Sequence, residues 1–127
     1  MKRDMELIRL LLFQVEGETP NLDLSNYSEE QRVYHSALLI EAGLVDGEII
    51  QNGSGYPAAT VVIRLKWAGH DFLDAVREDT IWKKIQNHVI KPGMSWTFSL
   101  VAEYAKHEIK RRLFGDGGGG ADADAVG

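Results

Sequence analysis

Residues 28–45, SEEQRVYHSALLIEAGLV, constrain the fold more than any other stretch. They read as a helix with a polar entry, an apolar second half and a glycine stop. Ser28 stands in capping-box register with Gln31. Glu29 and Glu30 fall in the first turn, where the helix dipole favours acids. His35, Leu39 and Ala42 share one face, with Leu38 beside them. His35 is therefore expected as a buried, hydrogen-bonded residue rather than a ligand or a base. Gly43 suits a left-handed cap, and Leu44 can make the closing apolar contact. Strand signals follow at once. Asp46-Gly47 lies in a β-prone run, Asn52-Gly53 and Ser54-Gly55 mark a turn, and Pro57 excludes a central strand position. Residues 60–66, TVVIRLK, are the clearest strand, with Ile63, Leu65 and Trp67 alternating against Arg64 and Lys66. A helix followed directly by a Gly-tipped hairpin is the frame around which the rest is placed.

Before it, Asp4 is placed to cap a helix reaching about Glu16, with Met5, Ile8, Leu11, Leu12 and Val15 on one face and Gly17 as its stop. Residues 17–27 connect the two helices. Leu22 and Leu24 flank Asp23 in alternation, which suits a short strand at 22–24. After the hairpin, a helix is expected from about Gly69, with a restart near Asp79-Thr80 and an apolar stripe of Ile81, Trp82, Ile85 and Val89. Lys91-Pro92-Gly93 breaks the chain. A last amphipathic helix spans about Thr97 to Phe114. Residues 115–127, GDGGGGADADAVG, have nothing to bury and read as a flexible Gly/Ala/Asp tail. The expected class is α+β, mainly α, with one domain over residues 1–114.

Composition limits the chemistry. Cysteine is absent, which excludes disulfides, thiolate metal sites and a cysteine nucleophile. The opening MKRDMELIRLLLF is interrupted by Asp4, Glu6 and Arg9, and its apolar run is too short for a signal peptide. No window reaches the roughly 18 apolar residues of a membrane span, so a cytoplasmic protein is expected. The formal net charge is −5. Such a chain lacks the broad basic footprint that dominates nucleic-acid affinity.

HSALLIEAGLV, residues 35–45, resembles the end of the recognition helix and the first wing strand of ArsR-like and MarR-like winged-helix regulators. RLKWAGHDFLDAVREDTIW, residues 64–82, resembles the strand leaving the wing and the helix after it. The set Met1 to Met5 with Leu7 and Arg9, Tyr34 to Leu44, and Leu65 to Trp82 is similar to a narrower family of small bacterial and phage proteins, described only as a domain of unknown function. The resemblance implies a winged helix: a helix, a short strand, a recognition-type helix, a β-hairpin wing and C-terminal helices. It also implies a phage or prophage context. It brings no catalytic residue. Residues 17–27 have room for a strand and a turn, but hardly for the second helix of a full helix-turn-helix.

In such a fold the exposed face of residues 28–34 would enter a major groove. Ser28, Gln31, Arg32 and Tyr34 are the candidate readers. At the wing, Gln51, Asn52, Ser54 and Tyr56 could reach phosphates, and Arg64 and Lys66 flank them. Glu29 and Glu30 would repel phosphates. His70, Asp71 and Asp74 place two ligand types one helical turn apart, a weak metal signal that an ordinary helix surface explains better. No acid–base, nucleophilic or phosphate-loop constellation is present, and no cofactor is expected. Two functions remain open. The expected one is a winged-helix DNA-binding protein, a phage-associated transcriptional regulator that acts by binding and not by catalysis. The alternative to it is a winged-helix protein-interaction module that binds a host protein. Lys106, Lys110, Arg111 and Arg112 make the last helix basic at its end, and its apolar stripe could close the core or pair two copies as a homodimer.

Overall fold

The computed structural model describes residues 1–91 and 96–115. It is α+β and mainly helical: α1 (Met5–Glu16), α2 (Glu29–Glu41), β1 (Val45–Gln51), β2 (Pro57–Leu65), α3 (Trp67–Val76), α4 (Asp79–Ile85) and α5 (Phe98–Lys110). Helix α4 runs on into a π turn, Gln86–Ile90, and α5 into a second, Arg111–Gly115. Among the described residues no helix is long and apolar enough to cross a membrane. The chain divides into two compact units, Met1–Leu73 and Asp74–Gly127. The break at Pro92-Gly93 and the tail from residue 116 lie outside the described residues.

In the first unit, α1 starts where Asp4 offers its Oδ1 to the backbone N–H groups of Glu6 and Leu7, at 3.0 and 3.2 Å. Two of the helix's orphan donors are satisfied in this way. It stops at Gly17, in the left-handed region at φ 79°. Its face of Leu7, Ile8, Leu11 and Leu12 is buried, and α1 packs on α2 and β2.

Helix α2 opens with the reciprocal capping box: Gln31 N–H donates to Ser28 Oγ at 3.0 Å, and Ser28 N–H donates to Gln31 Oε1 at 2.8 Å. It closes with two bonds, Gly43 N–H to the Ile40 carbonyl and Leu44 N–H to the Leu39 carbonyl, both 3.0 Å. Gly43 takes φ 77° to make them, and Leu44 is buried behind the turn. His35 is buried. Its Nε2 accepts the Asp4 N–H at 2.9 Å, so the proton sits on Nδ1, which donates to the Gln31 carbonyl at 2.8 Å.

The strand expected at 22–24 does not form. Asn21 sits in the left-handed region at φ 59°. Asp23 Oδ1 accepts both the backbone N–H and the hydroxyl of Ser25, at 2.9 and 2.6 Å. These local turns on either side of Leu22 leave no extended run to pair. No helix forms between Gly17 and Ser28 either, so α1 and α2 are joined by turns without the middle helix of a helix-turn-helix.

Strands β1 and β2 form a two-stranded antiparallel sheet. Val45 pairs with Leu65 and Asp46 with Arg64, but Gly47 pairs with Val62. Ile63 is therefore an extra residue, a β-bulge that reverses the alternation of β2. The even spacing of Ile63, Leu65 and Trp67 suggests one shared face. The structure separates them: Leu65 is buried, whereas Ile63 and Trp67 are exposed. Residue 47 has to be glycine for packing reasons, since a Cβ there would fall on the Val61 carbonyl oxygen. Gly69 has the same constraint. Its Cβ would fall on the carbonyl oxygen of Leu44, which already accepts the Lys66 N–H at 2.9 Å.

In the second unit α4 packs against α5. The restart near residue 79 is capped by Glu78 rather than by Asp79 or Thr80, through bonds from the N–H groups of Thr80 and Ile81, both 3.1 Å. Glu78 also pairs with Arg112 at 2.9 Å. Glu108 is buried and clamped by Lys84 at 3.0 Å and Arg111 at 3.2 Å. Burial alone pushes its carboxyl up. The hydrogen bonds from Lys84 and Arg111, with their charges, outweigh burial and hold it below its ordinary range.

Candidate interaction site

The first turns of α2 and the tip of the hairpin border one surface cleft of about 370 Å³. Glu29, Glu30 and Val33 line it from α2. Asn52, Ser54, Tyr56, Pro57 and Ala58 line it from the hairpin. A second cleft of about 220 Å³ adjoins it through Glu29 and Val33 and is lined further by Leu11, Gln14, Arg32, Ser36 and Thr60. Tyr34 and Tyr56 meet across α2 and the hairpin with ring centroids 6.0 Å apart, and the rings of Tyr34 and His35 form a T-shaped pair with centroids 5.6 Å apart. The tip is shaped by Gly53 and Gly55, at φ 88° and 93°.

The structure engages most of the residues expected to read DNA in bonds within the chain. Ser28 and Gln31 cap α2 through their side chains. Arg32 turns back, its Nη1 donating to the Tyr27 carbonyl at 2.6 Å. Asn52 Oδ1 accepts the Ser54 N–H at 3.0 Å, and the Ser54 hydroxyl bonds to the backbone of Tyr56. Arg64 donates to the Leu65 carbonyl at 3.2 Å and lies 3.7 Å from Asp46. Tyr34 belongs to the aromatic pair. Lys66 is exposed beyond the strand, and Gln51 is exposed at the end of β1.

The capping signature itself carried part of this message. The atoms of Ser28 and Gln31 that would read bases are the ones the helix start requires. The return of Arg32 to Tyr27 has no sequence signal. Nor does the meeting of Glu29 and Glu30 with Tyr56 and Pro57, which requires the hairpin to fold over the start of α2.

The electrostatics run the same way. Residues 1–73 hold six Lys and Arg against eleven Asp and Glu, a formal charge of −5, and residues 74–127 hold eight of each. All the net charge of the chain therefore belongs to the unit with the α2–hairpin clefts. Burial, aided by the nearby carboxylates of Asp4 and Glu6, raises the Tyr27 phenol. As for the weak metal signal, Asp74 is taken by Arg77 at 2.9 Å, and the described residues contain no cluster of three His, Cys, Asp or Glu able to hold a metal ion.

Comparison with known proteins adds a family to this geometry. The sequence profile of DUF2513, a family of hypothetical proteins, matches residues 2–95. The chain belongs to the DUF2513 family. An uncharacterized protein of Haemophilus influenzae is 27% identical over 119 residues, which cover 89% of this chain and 99% of that protein. No solved structure matches. The span shared with DUF2513 contains α1 to α4, the hairpin and every residue of both clefts, while α5 lies beyond it.

Proposed function

We propose that this chain is a winged-helix protein-interaction module, in a phage or prophage setting, that acts by binding and not by catalysis. In this reading α2 and the β1–β2 hairpin correspond to the recognition-type helix and the wing. The face they form receives a protein segment instead of a DNA groove. The observation that carries the reading is on that face: Glu29 and Glu30 line the cleft, while Arg32 is turned to Tyr27 and Arg64 to Asp46. A duplex brought there would meet carboxylates where phosphate binding needs cations. A peptide carrying Lys or Arg next to an aromatic or aliphatic side chain would pair with Glu29 and Glu30 and pack on Val33, Tyr56 and Pro57.

The alternative is the DNA-binding regulator. It is supported by the order of helix, hairpin and exposed Lys66, with Ser28, Gln31, Arg32, Tyr34, Asn52, Ser54, Arg64 and Lys66 as contacts.

Two binding measurements separate the readings. Fluorescence anisotropy with mixed-sequence duplex DNA at low salt is expected to show no binding. Selection from a displayed peptide library is expected to enrich basic–aromatic segments whose binding Glu29→Lys with Glu30→Lys abolishes. Duplex binding that weakens steeply with salt, and is lost with Arg32→Ala plus Arg64→Ala, would overturn the interaction reading in favour of the regulator.

A further inference from the structure

We infer that the outer face of the β1–β2 hairpin is a self-association surface, covered by the same face of a second copy of this chain. The face is defined by the pairing register. Val45 with Leu65, Gly47 with Val62 and Ile49 with Thr60 turn inward, toward α1 and α2. Asp46 with Arg64, Glu48 with Val61 and Ile50 with Ala59 turn outward. The bulge adds Ile63 to the outer set, and Trp67 follows at the base of the hairpin. Ile50, Val61, Ile63 and Trp67 are all large exposed apolar residues, Ile63 being 64% exposed and Trp67 83%. A solitary exposed apolar side chain is ordinary. Three gathered on one hairpin, with an exposed tryptophan two residues past its end, have the composition of an interface centre.

Charge identifies the occupant. The unit carries −5, so two copies repel over most of their surface. This face is locally neutral, with Asp46 and Glu48 on β1 balanced by Arg64 on β2 and Lys66 just beyond it. The arrangement is also self-complementary. A two-fold axis parallel to the strands lays the β1 of one copy over the β2 of the other, so that Asp46 of each meets Arg64 of its counterpart. Within one copy those two groups are 3.7 Å apart, with the Arg64 side chain 64% exposed and that of Asp46 48%, which leaves capacity for a second partner. Isologous pairing of this kind is the commonest route to a dimer. Size sets its strength. Nine residues of β2 span about 30 Å and two strands about 10 Å, so the face offers on the order of 300 Å² per copy, against the roughly 800 Å² of a standard interface. The pairing is therefore a weak, concentration-dependent one.

The test uses the full chain in sedimentation equilibrium across a concentration series into the millimolar range. The apparent mass should rise from that of a monomer toward twice that value. Val61→Lys with Ile63→Lys should weaken the association at least tenfold without lowering the thermal midpoint, because both side chains are exposed. Asp46→Arg and Arg64→Asp should each weaken it, and the double exchange should restore it. Glu29→Lys with Glu30→Lys, on the other side of the hairpin, lowers the repulsion between copies and should not weaken the association, which keeps this result separate from the peptide-binding one. A chain that stays monomeric throughout, or a dimer indifferent to the Val61 and Ile63 changes, overturns the inference.

Discussion

His35 on α2 accepts the backbone N–H of Asp4, the residue that caps α1, across a 2.9 Å bond. One imidazole thus joins the starts of two helices separated by a connector without regular structure. Its other nitrogen is tied to the Gln31 carbonyl, so the ring is fixed in one tautomer and one orientation. Replacing it removes an acceptor from a buried donor and opens a cavity. Each effect costs about 1–3 kcal/mol in proteins of ordinary stability. His35→Ala should therefore lower the unfolding free energy by about 2–6 kcal/mol in urea titration. His35→Leu, which refills the space without supplying the acceptor, should recover only part of that loss.

Gly69 touches the turn that ends α2, and the atom it touches is backbone. Because the Leu44 carbonyl is already held by the Lys66 N–H, it cannot step aside for a Cβ without losing that bond. Gly69→Ala should cost about 3 kcal/mol, at the high end for overpacking, despite alanine's better helix propensity. Gly17→Ala provides the contrast. Nothing lies near its Cβ position, and only the left-handed backbone opposes the change, so a loss of about 1 kcal/mol is expected. Thermal denaturation of the two variants side by side checks the difference.

Acid should weaken the chain through Glu108 and Glu78. Both carboxyls are held below the ordinary glutamate value of 4.5 in the folded chain. In each, desolvation opposes the shift, and hydrogen bonds and cations win: Lys84 and Arg111 at Glu108; the Thr80 and Ile81 N–H groups with Arg112 at Glu78. As pH falls, the unfolded chain binds protons first. The stabilisation is complete above about 4.5 and is lost as pH drops through the lower folded values. Glu108→Gln should cost about 1–3 kcal/mol at neutral pH, as expected for charged hydrogen bonds, and should flatten the acid limb. Urea midpoints measured from pH 7 to pH 3 test both parts.

The local chemistry of this fold was legible in the sequence wherever a single residue type performs a single task. Asp4, Ser28 with Gln31, and Gly43 each cap or stop a helix where spacing placed them. The hairpin followed from Asn52-Gly53 and the β-branched run. What escaped was set by tertiary contact. The bulge at Ile63 has no residue signature, and regular alternation over residues 63–67 pointed the other way. The strand at 22–24 lost to the turn made by Asp23 and Ser25. The restart after α3 took Glu78 as its cap, and that carboxylate also reaches Arg112 on a distant segment. At the candidate site, composition warned of surplus acid. Only the fold shows that Arg32 is bonded to the Tyr27 carbonyl and Arg64 lies beside Asp46, while Glu29 and Glu30 line the cleft at the hairpin tip.

The bulge at Ile63 gives one strand two phases. On the base side of it, β2 obeys the parity of the core. On the tip side, the opposite parity faces inward, so a substitution there changes the exterior without disturbing Val45 or Leu65. Such a strand behaves like a shaft with a half-turn coupling, its anchored end and its working end free to vary independently. Excising Ile63 would remove the coupling. Arg64 would then be preceded directly by Val62, the pairs Asp46–Arg64 and Gly47–Val62 would become consecutive, and Leu65, Val62 and Thr60 would share the inner face in plain alternation.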